Sequence, residues 1–329
     1  MKKTLLLLLA MVLLLGGCGI SGNDYSAIAP GDEERLIIYT SHKEDVYAPI
    51  IREFERRTGI WTELKTGGTN ELLEEIAAGD TDCDLMFGGG VDSLTAYAGC
   101  FTKYNSPAMT NVDEKFTGDG TWTPFSSLPV VLIYNTQLVR LNPPTGWQSL
   151  LDREWRGKIA FADPTVSGSS YTALCTMAQA LGGDAEEVLQ RFAENLDGRQ
   201  ADGSGLVVGQ VAEGSCYIGV TLEETALKAV SEGYDIALVY PEEGTSALPD
   251  GAAIVKGCKH EQNARLFIDF LLSEDVQQRL PEKFSRRSVL TEAESEPELE
   301  LLSYDLDWAS AMQSQFLDSW QGYFEGTRG

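Results

Sequence analysis

The hydrophobic and polar positions in the first third of the chain alternate between two periods. A short apolar run at residues 36–39 predicts a buried strand, and the apolar residues that follow recur at helical spacing, which predicts a helix from about Asp45 to Gly59 with Pro49 in its first turn. The same order then repeats, with strands at 60–64 and 84–87 around a helix at 71–78. Strands that alternate with helices predict an α/β fold with a largely parallel sheet.

This alternation continues through the rest of the chain. The predicted elements are strands at 130–134, 159–161, 217–220, 236–240 and 252–255, and helical stretches at 170–181 and 261–280. The predicted strands outnumber those of one small sheet, yet no linker segment divides the sequence into two independent domains. The pattern therefore predicts two lobes that share crossing strands.

The N-terminus has the features of an export signal. Two lysines precede an apolar run at residues 5–15, which is too short for a spanning helix of about 20 residues and fits a secretory signal. The run ends in Leu-Gly-Gly before Cys18, which resembles the lipobox of bacterial lipoproteins. That resemblance implies cleavage of residues 1–17, a lipid on Cys18 that anchors the protein to the cell membrane on its extracytoplasmic side, and a tether at residues 18–33. The alternative is a plain signal peptide.

The composition is globular, with a large acidic excess. The 329 residues include 50 Asp and Glu against 25 Lys and Arg, a formal net charge of −25. The length favours two domains, and the charge argues against a nucleic-acid partner, which needs basic patches. After Cys18 an odd number of cysteines remains, so at least one thiol is unpaired: Cys83, Cys100, Cys175, Cys216 and Cys258. A Cys83–Cys100 disulfide is one possibility, and Cys175 is expected to be a buried free thiol.

Four short motifs follow one another along the chain. They are Tyr-Thr-Ser-His-Lys-Glu at 39–44, Gly-Gly-Thr at 67–69, Asp-Leu-Met-Phe-Gly-Gly-Gly at 84–90, and Asp-Pro at 163–164 followed by Ser-Gly-Ser-Ser-Tyr-Thr at 167–172. Together they resemble the extracytoplasmic solute-binding proteins of bacterial ABC importers, in the branch of the ferric-, phosphonate- and sugar-phosphate-binding receptors. The resemblance covers residues from about 35 to about 290.

This resemblance implies a two-lobed periplasmic-binding-protein fold of type II. Each lobe is then a mainly parallel sheet flanked by helices, and crossing strands at 130–134 and near 240–245 join the lobes. The implied divisions are lobe 1 at 34–129 plus 244–290, lobe 2 at 130–243, and a C-terminal helical segment at 291–329 that packs on the lobes. The resemblance also implies a monomer that binds a small solute in the cleft and delivers it to an ABC permease in the membrane.

The ferric-binding members of this branch hold iron with a His and a Glu from one lobe and two consecutive Tyr from the other. His42 matches the His, but Gly88-Gly89-Gly90 stands where the Glu would fall. Tyr217 is a single tyrosine near the expected pair. Because ferric iron prefers anionic oxygen ligands, His42 and Tyr217 are candidate metal ligands only if the iron alternative holds.

Small and hydroxyl-bearing residues occupy the remaining motif positions. Hydroxyls and free N–H groups at the start of a helix form an anion site, and glycine lets the backbone approach a ligand closely. These positions are therefore the candidate contacts for a phosphate or phosphonate, and the alternative is that they are ordinary helix caps and turns. They are Ser41, His42, Gly68, Thr69, Gly89, Gly90, Ser167, Gly168, Ser169 and Ser170.

An acidic segment follows the strand at 217–220. Open α/β sheets bind ligands beyond the carboxyl ends of their strands, so Thr221, Glu223 and Glu224 are candidate ligand contacts, and Tyr217 is a candidate wall residue. A carboxylate there would pair with an ammonium, as in 2-aminoethylphosphonate, accept from sugar hydroxyls, or help to bind a divalent metal. The alternative is an acid that stabilises a helix N-terminus.

The sequence therefore predicts a receptor for a small organophosphate or phosphonate, with no cofactor of its own. The alternatives are a ferric iron receptor and, in a different class, a surface lipoprotein for adhesion or sensing. The sequence contains neither G-x-S-x-G nor H-E-x-x-H, and it has only two histidines, so we do not expect an enzyme.

Overall fold

The computed structural model of the protein describes residues 31–79, 81–291 and 299–326. The predicted signal peptide, Cys18 and most of the tether lie outside the described residues, as do residues 292–298. The chain forms two compact units, Met1–Glu33 and Glu34–Gly329, and only residues 31–33 of the first are described. Within the described ranges, no helix combines the length and the apolar character that a membrane crossing requires.

Two sheets organise the second unit. Their strands are β1 Arg35–Thr40, β2 Trp61–Thr66, β3 Leu85–Gly90, β4 Phe101–Thr102, β5 Thr123–Ser127, β6 Val130–Asn135, β7 Ile159–Ala160, β8 Ile218–Leu222, β9 Ile236–Val239 and β10 Pro249–Val255. The first sheet has the order β2-β1-β3-β10-β4, with β5 also paired to β10. The second has the order β7-β8-β6-β9. Two sheets in one chain agree with the predicted α/β architecture of two lobes.

Both sheets are mixed, whereas the sequence predicts mainly parallel ones. In the first sheet β1 is parallel to β2 and β3, but β10 is antiparallel to β3, β4 and β5. In the second sheet β7 is parallel to β8, but β6 is antiparallel to β8 and β9. Strands β6 and β10 are the first that the chain forms after it changes sheets. The chain enters each of these strands directly from the other lobe. A helical crossover, which would make a strand parallel to its neighbour, does not precede either of them.

Helices cover the sheets. They are α1 Glu44–Thr58, α2 Thr69–Ala78, α3 Val91–Ala96, α4 Gly168–Leu181, α5 Ala185–Leu196, α6 Val207–Ala212, α7 Glu223–Ser231, α8 Glu261–Leu271, α9 Glu274–Phe284 and α10 Leu306–Gly326. Helix α1 ends at Gly59, whose φ of 73° is the left-handed conformation that glycine adopts without strain. It begins at Glu44, so Pro49 lies in its second turn and not in the first turn as predicted.

The chain passes between the sheets at residues 128–129 and returns at residues 240–248. The two passages lie side by side, because the Leu128 N–H donates to the Leu248 carbonyl at 3.0 Å. A third segment joins them, since the Ser127 N–H donates to the Arg287 carbonyl at 2.8 Å. The crossing therefore precedes the strand at 130–134, which belongs to the second sheet.

We propose that the lobes have the boundaries predicted from the sequence. The first sheet then belongs to lobe 1 (34–129 plus 244–290) and the second sheet to lobe 2 (130–243). Helix α10 contacts both lobes. Its Trp320 is 1% exposed and lies 5.6 Å from Phe161 of lobe 2 between ring centroids. Near its other end, the Ser310 hydroxyl donates to the carbonyl of Asp92 in α3 of lobe 1 at 3.1 Å.

The cysteines after Cys18 are all free thiols, so Cys83 and Cys100 are not paired with each other. Cys83, Cys175 and Cys216 are buried. Burial raises the pKa of the Cys175 thiol above its usual range, which keeps it protonated and unreactive. The expectation of a buried free thiol at Cys175 agrees with the structure.

Candidate functional site

A cavity of about 290 Å³ lies between the two sheets, beyond the ends of β1, β3 and β8. Four helices of nine or more residues begin at it, because their N-cap residues line its wall: Lys43 of α1, Gly68 of α2, Ser167 of α4 and Leu222 of α7. Each helix follows a strand or a loop at a carboxyl-end edge, where α/β sheets place their ligand sites. The cavity is therefore surrounded by positive ends of helix dipoles.

Two glycines allow the backbone segments around the cavity to approach one another. A Cβ on Gly68 would lie 2.7 Å from the carbonyl oxygen of Val166 in the opposite lobe. A Cβ on Gly89 would lie 2.6 Å from Thr69, and its φ of 88° is left-handed. Any side chain at either position would push the segments apart.

The lobes are in contact around the cavity. Asn70 Nδ2 of lobe 1 donates to the Pro164 carbonyl of lobe 2 at 3.0 Å, and Lys43 Nζ donates to Thr225 Oγ1 at 3.0 Å. Lys228 of lobe 2 also forms an ion pair with Asp45 of lobe 1. The structure is thus a closed form of the two lobes.

In the serine motif, residues 167–170, one residue caps helix α4 and three residues line the cavity. Ser167 caps α4, because its hydroxyl accepts from the Ser170 N–H at 3.4 Å. Ser167, Gly168 and Ser169 line the cavity, with 3.1 Å between the hydroxyls of Ser167 and Ser169. Ser170 does not line it; its hydroxyl donates to Ser167 Oγ at 3.2 Å from behind the wall.

A buried ion pair forms part of the wall. Arg286 Nη1 donates to Asp250 Oδ2 at 2.6 Å and to Ser126 Oγ at 3.1 Å, and its Nη2 lies 3.7 Å from Glu224 Oε1. Asp250 also accepts from the N–H and hydroxyl of Ser126 at 2.9 and 2.7 Å. Burial raises the pKa of Asp250, an effect that the Arg286 charge opposes. Neither residue was predicted from the sequence; the Arg286-Arg287 pair in so acidic a chain was the available clue to the arginine.

His42 lies against this pair as a neutral imidazole. Burial, and then the Arg286 charge, hold its pKa well below its usual value. Its ring packs edge-on against Phe87, with centroids 4.4 Å apart. Its Nε2 lies 3.4 Å from Asp250 Oδ2, is buried, and has no hydrogen-bond partner within the described residues. The nearby carboxylate favours the tautomer with hydrogen on Nε2.

The two predicted glutamates have different surroundings. Glu224 lines the cavity. Glu223 does not line it, because its carboxylate is held by two 2.8 Å hydrogen bonds from Arg287 and one of 2.6 Å from Tyr240. This network joins α7 of lobe 2 to the segment after α9, so Glu223 has a structural role between the lobes.

Tyr217 lies outside the cavity. It precedes β8, whereas Thr221, near the other end of that strand, lines the wall. The Lys158 ammonium lies 5.2 Å above the Tyr217 ring. His42 and Tyr217, the candidate iron ligands, are therefore not brought together. Among the described residues, no three His, Cys, Asp or Glu side chains are grouped so as to hold a metal.

The structure thus gathers eleven of the fourteen predicted contacts around one cavity: Ser41, His42, Gly68, Thr69, Gly89, Gly90, Ser167, Gly168, Ser169, Thr221 and Glu224. Three others, Ser170, Tyr217 and Glu223, lie elsewhere. Lys43, Asp250 and Arg286 are additions that only the structure reveals.

The chain belongs to the family of bacterial extracellular solute-binding proteins, whose model matches residues 81–305. It is 26% identical to iron uptake protein A1 of Synechocystis, over 80% of this chain and 78% of that protein. It is 22% identical to a Salmonella typhi protein that is named for 2-aminoethylphosphonate binding, over 70% of this chain and 69% of that one.

The fold is that of known periplasmic binding proteins. The structure of AfuA from Actinobacillus pleuropneumoniae, with fructose 6-phosphate bound, matches 88% of this chain and 98% of that one, with a TM-score of 0.82 and 24% identity. The family assignment makes the protein a bacterial extracellular solute-binding protein, and its fold agrees with that class.

Proposed function

We propose that the protein captures a small organophosphate or phosphonate in the interlobe cavity and delivers it to an ABC permease. One observation carries the proposal: four helices of nine or more residues begin at a single cavity whose wall supplies serine and threonine hydroxyls. Hydroxyls and free N–H groups at helix starts are the usual donors to a phosphoryl oxygen.

Electrostatics favour an anion here despite the acidic chain. Each helix N-terminus has about half an elementary positive charge, and it acts within the first turn. The surface carboxylates act from a distance and are screened over about 8 Å at physiological salt. Each charge-assisted hydrogen bond contributes about 1.5–3 kcal/mol, so four or five bonds would hold a small ligand at micromolar affinity after association costs.

The size of the cavity favours an organic ligand. At about 30 Å³ for each water in the liquid, 290 Å³ has room for roughly ten waters. A phosphoryl group alone would leave most of that space empty. A carbon skeleton beside it would fill the cavity.

From the export signal and Cys18 we further propose that the receptor is extracytoplasmic and is anchored to the membrane by a lipid on Cys18. We also propose that it acts as a monomer. Two acyl chains would be needed for stable attachment. Closure over the ligand would then present the loaded receptor to the permease.

Ferric iron is the second candidate, because a relative is named for iron uptake. Against it, the cavity holds His42 but not Tyr217, and the Arg286 guanidinium already lies beside the two carboxylates of the wall, Asp250 and Glu224.

Thermal unfolding of the mature protein with inorganic phosphate, 2-aminoethylphosphonate, fructose 6-phosphate and ferric citrate tests the assignment. A ligand at one hundred times its Kd adds about 2.7 kcal/mol to the free energy of unfolding. We expect the phosphoryl compounds to raise Tm. A response to ferric citrate alone would assign the protein to iron, and no response to any compound would favour an adhesion or sensing protein.

A further inference from the structure

The C-terminal segment, which comprises Tyr304 and helix α10, is anchored in lobe 2. Helix α10 has 21 residues and is therefore about 30 Å long, enough to reach both lobes. Its Phe316, Trp320 and Phe324 are buried in the apolar clusters of lobe 2. Separating these rings from lobe 2 would expose a large apolar area to water, so we expect the segment to move together with lobe 2.

The same segment reaches lobe 1 through two hydrogen bonds. The Tyr304 hydroxyl donates to Asp92 Oδ2 at 3.3 Å, while the Tyr304 ring packs against the cluster around Tyr171 of lobe 2. Gln313 Nε2 donates to Asn70 Oδ1 at 3.4 Å, and both of these side chains are buried. Two hydrogen bonds of this kind break far more readily than the aromatic contacts with lobe 2.

The two acceptors in lobe 1 also contact lobe 2 directly. Asp92 Oδ2 accepts from Thr172 Oγ1 of α4 at 2.7 Å. Asn70 Nδ2 donates to the Pro164 carbonyl at 3.0 Å. The C-terminal segment therefore bonds to lobe 1 at two residues that join the lobes in the closed form.

Asn70 lies farther from the crossing segments than Asp92 does. Strand β10 begins directly after the returning passage, and β3, which α3 follows, is its neighbour in the first sheet. Helix α2, with Asn70 in its first turn, follows β2, at the edge of the same sheet. A rotation of the lobes about the crossing segments would therefore displace Asn70 more than Asp92.

We propose that Tyr304 and Gln313 form a latch that is carried by lobe 2 and binds Asp92 and Asn70 of lobe 1 only when the cleft is closed. The latch holds a measurable fraction of the protein closed before a solute binds, and it slows opening afterwards. Its role in solute release rests on the proposed function, but the latch itself is measurable without any solute.

A double variant removes both hydrogen bonds of the latch. Tyr304→Phe with Gln313→Ala deletes the two donors and keeps the aromatic anchors. Tyr323→Phe with Gln315→Ala is the matched control, because it makes the same two changes where both donors bond to Glu186 of lobe 2.

Small-angle X-ray scattering of the mature proteins without solute measures the radius of gyration, which rises when the lobes open. We expect a larger radius of gyration in the latch variant than in the wild type, and the wild-type value in the control. Circular dichroism shows whether each variant is folded. If the double variant unfolds, Tyr304→Phe alone, which removes only a hydroxyl, should give a smaller increase of the same sign.

The latch variant should also release a bound solute faster. Stopped-flow dissociation of fructose 6-phosphate measures the rate. The loss of two hydrogen bonds, each equivalent to a few-fold in an equilibrium constant, should raise it about tenfold. The control should release the sugar phosphate at the wild-type rate.

The two readouts separate the possible failures. A folded latch variant with the radius of gyration of the wild type would overturn this inference, even if its Tm falls, because the contacts would then be only structural. If the radius of gyration rises but the wild-type protein binds no phosphoryl compound, the latch is supported and the proposed function fails.

Discussion

Arg286 donates a 2.6 Å hydrogen bond to Asp250 in the wall of the interlobe cavity, where the two side chains are 5% and 2% exposed. Glu224 of the other lobe lies 3.7 Å from the same guanidinium. A pair so deeply buried is costly to disrupt, because each remaining charge would be left in a medium of low dielectric constant.

Asp250→Asn should therefore destabilise the protein. We expect a loss of about 3 kcal/mol in the free energy of unfolding, at the lower end of the range for a broken buried pair because Glu224 stays near Arg286. Urea unfolding of the variant and the wild type measures this loss in the free energy of unfolding. Asp119→Asn breaks an exposed pair with Lys103 and should cost less than about 1 kcal/mol. Equal losses of unfolding free energy in the two variants would show that burial does not strengthen the Arg286–Asp250 pair.

Gly68→Ala should prevent full closure of the lobes. The added Cβ would lie 2.7 Å from the Val166 carbonyl oxygen across the cleft, a contact that only lobe opening can relieve. We expect ligand affinity to fall at least about tenfold, or 1.4 kcal/mol, with little change in Tm without ligand. Gly99→Ala, where the Cβ meets nothing within 4 Å, is the control. Unchanged affinity in Gly68→Ala would show that ligand binding does not need this closed form.

The double variant Thr69→Ala with Ser169→Ala should lose binding while it keeps its fold. Both residues line the cavity, and two charge-assisted bonds from their hydroxyls would be worth about 3–6 kcal/mol. Calorimetric titration with the best phosphoryl ligand should show a fall in affinity of about 100-fold or more. Thr117→Ala with Ser231→Ala removes two exposed hydroxyls that bond only to helix carbonyls, and should leave affinity unchanged. Undiminished binding in the first variant would mean that its hydroxyls are only structural.

Asp92 should make stability depend on pH. It is fully buried, and burial raises its pKa, although Thr172 donates to it at 2.7 Å and Tyr304 at 3.3 Å. Because the folded pKa lies above the unfolded value of about 3.9, ionisation weakens the fold as pH rises from that value through the folded pKa. Its protonated form is favoured at lower pH.

We therefore expect the difference in unfolding free energy between Asp92→Asn and the wild type to shift in favour of the variant as pH rises from about 4 to 7. Urea unfolding of both proteins at several pH values gives this difference, in which the other carboxylates cancel. A difference that does not vary with pH would contradict a raised pKa at Asp92.

Much of the architecture follows from local sequence. The strand at 36–39, the helix that ends at Gly59 and the serine motif before α4 were all predictable, because caps and periodic burial depend on neighbours in the chain. The hydroxyl-bearing positions were identified for the same reason: a helix start is visible in the sequence, and helix starts meet at the carboxyl edge of an α/β sheet.

The tertiary structure decided the rest. Asp250 and Arg286 are 36 positions apart, and nothing local marks either as a member of a buried pair. Tyr217 and Thr221 lie near opposite ends of one strand, so only the direction of β8 in its sheet determines which of them reaches the cavity. Strand direction and long-range charge pairing depend on how the lobes are joined. The sequence therefore determined a two-lobed receptor with hydroxyl-rich helix starts, and the fold determined which charges accompany them.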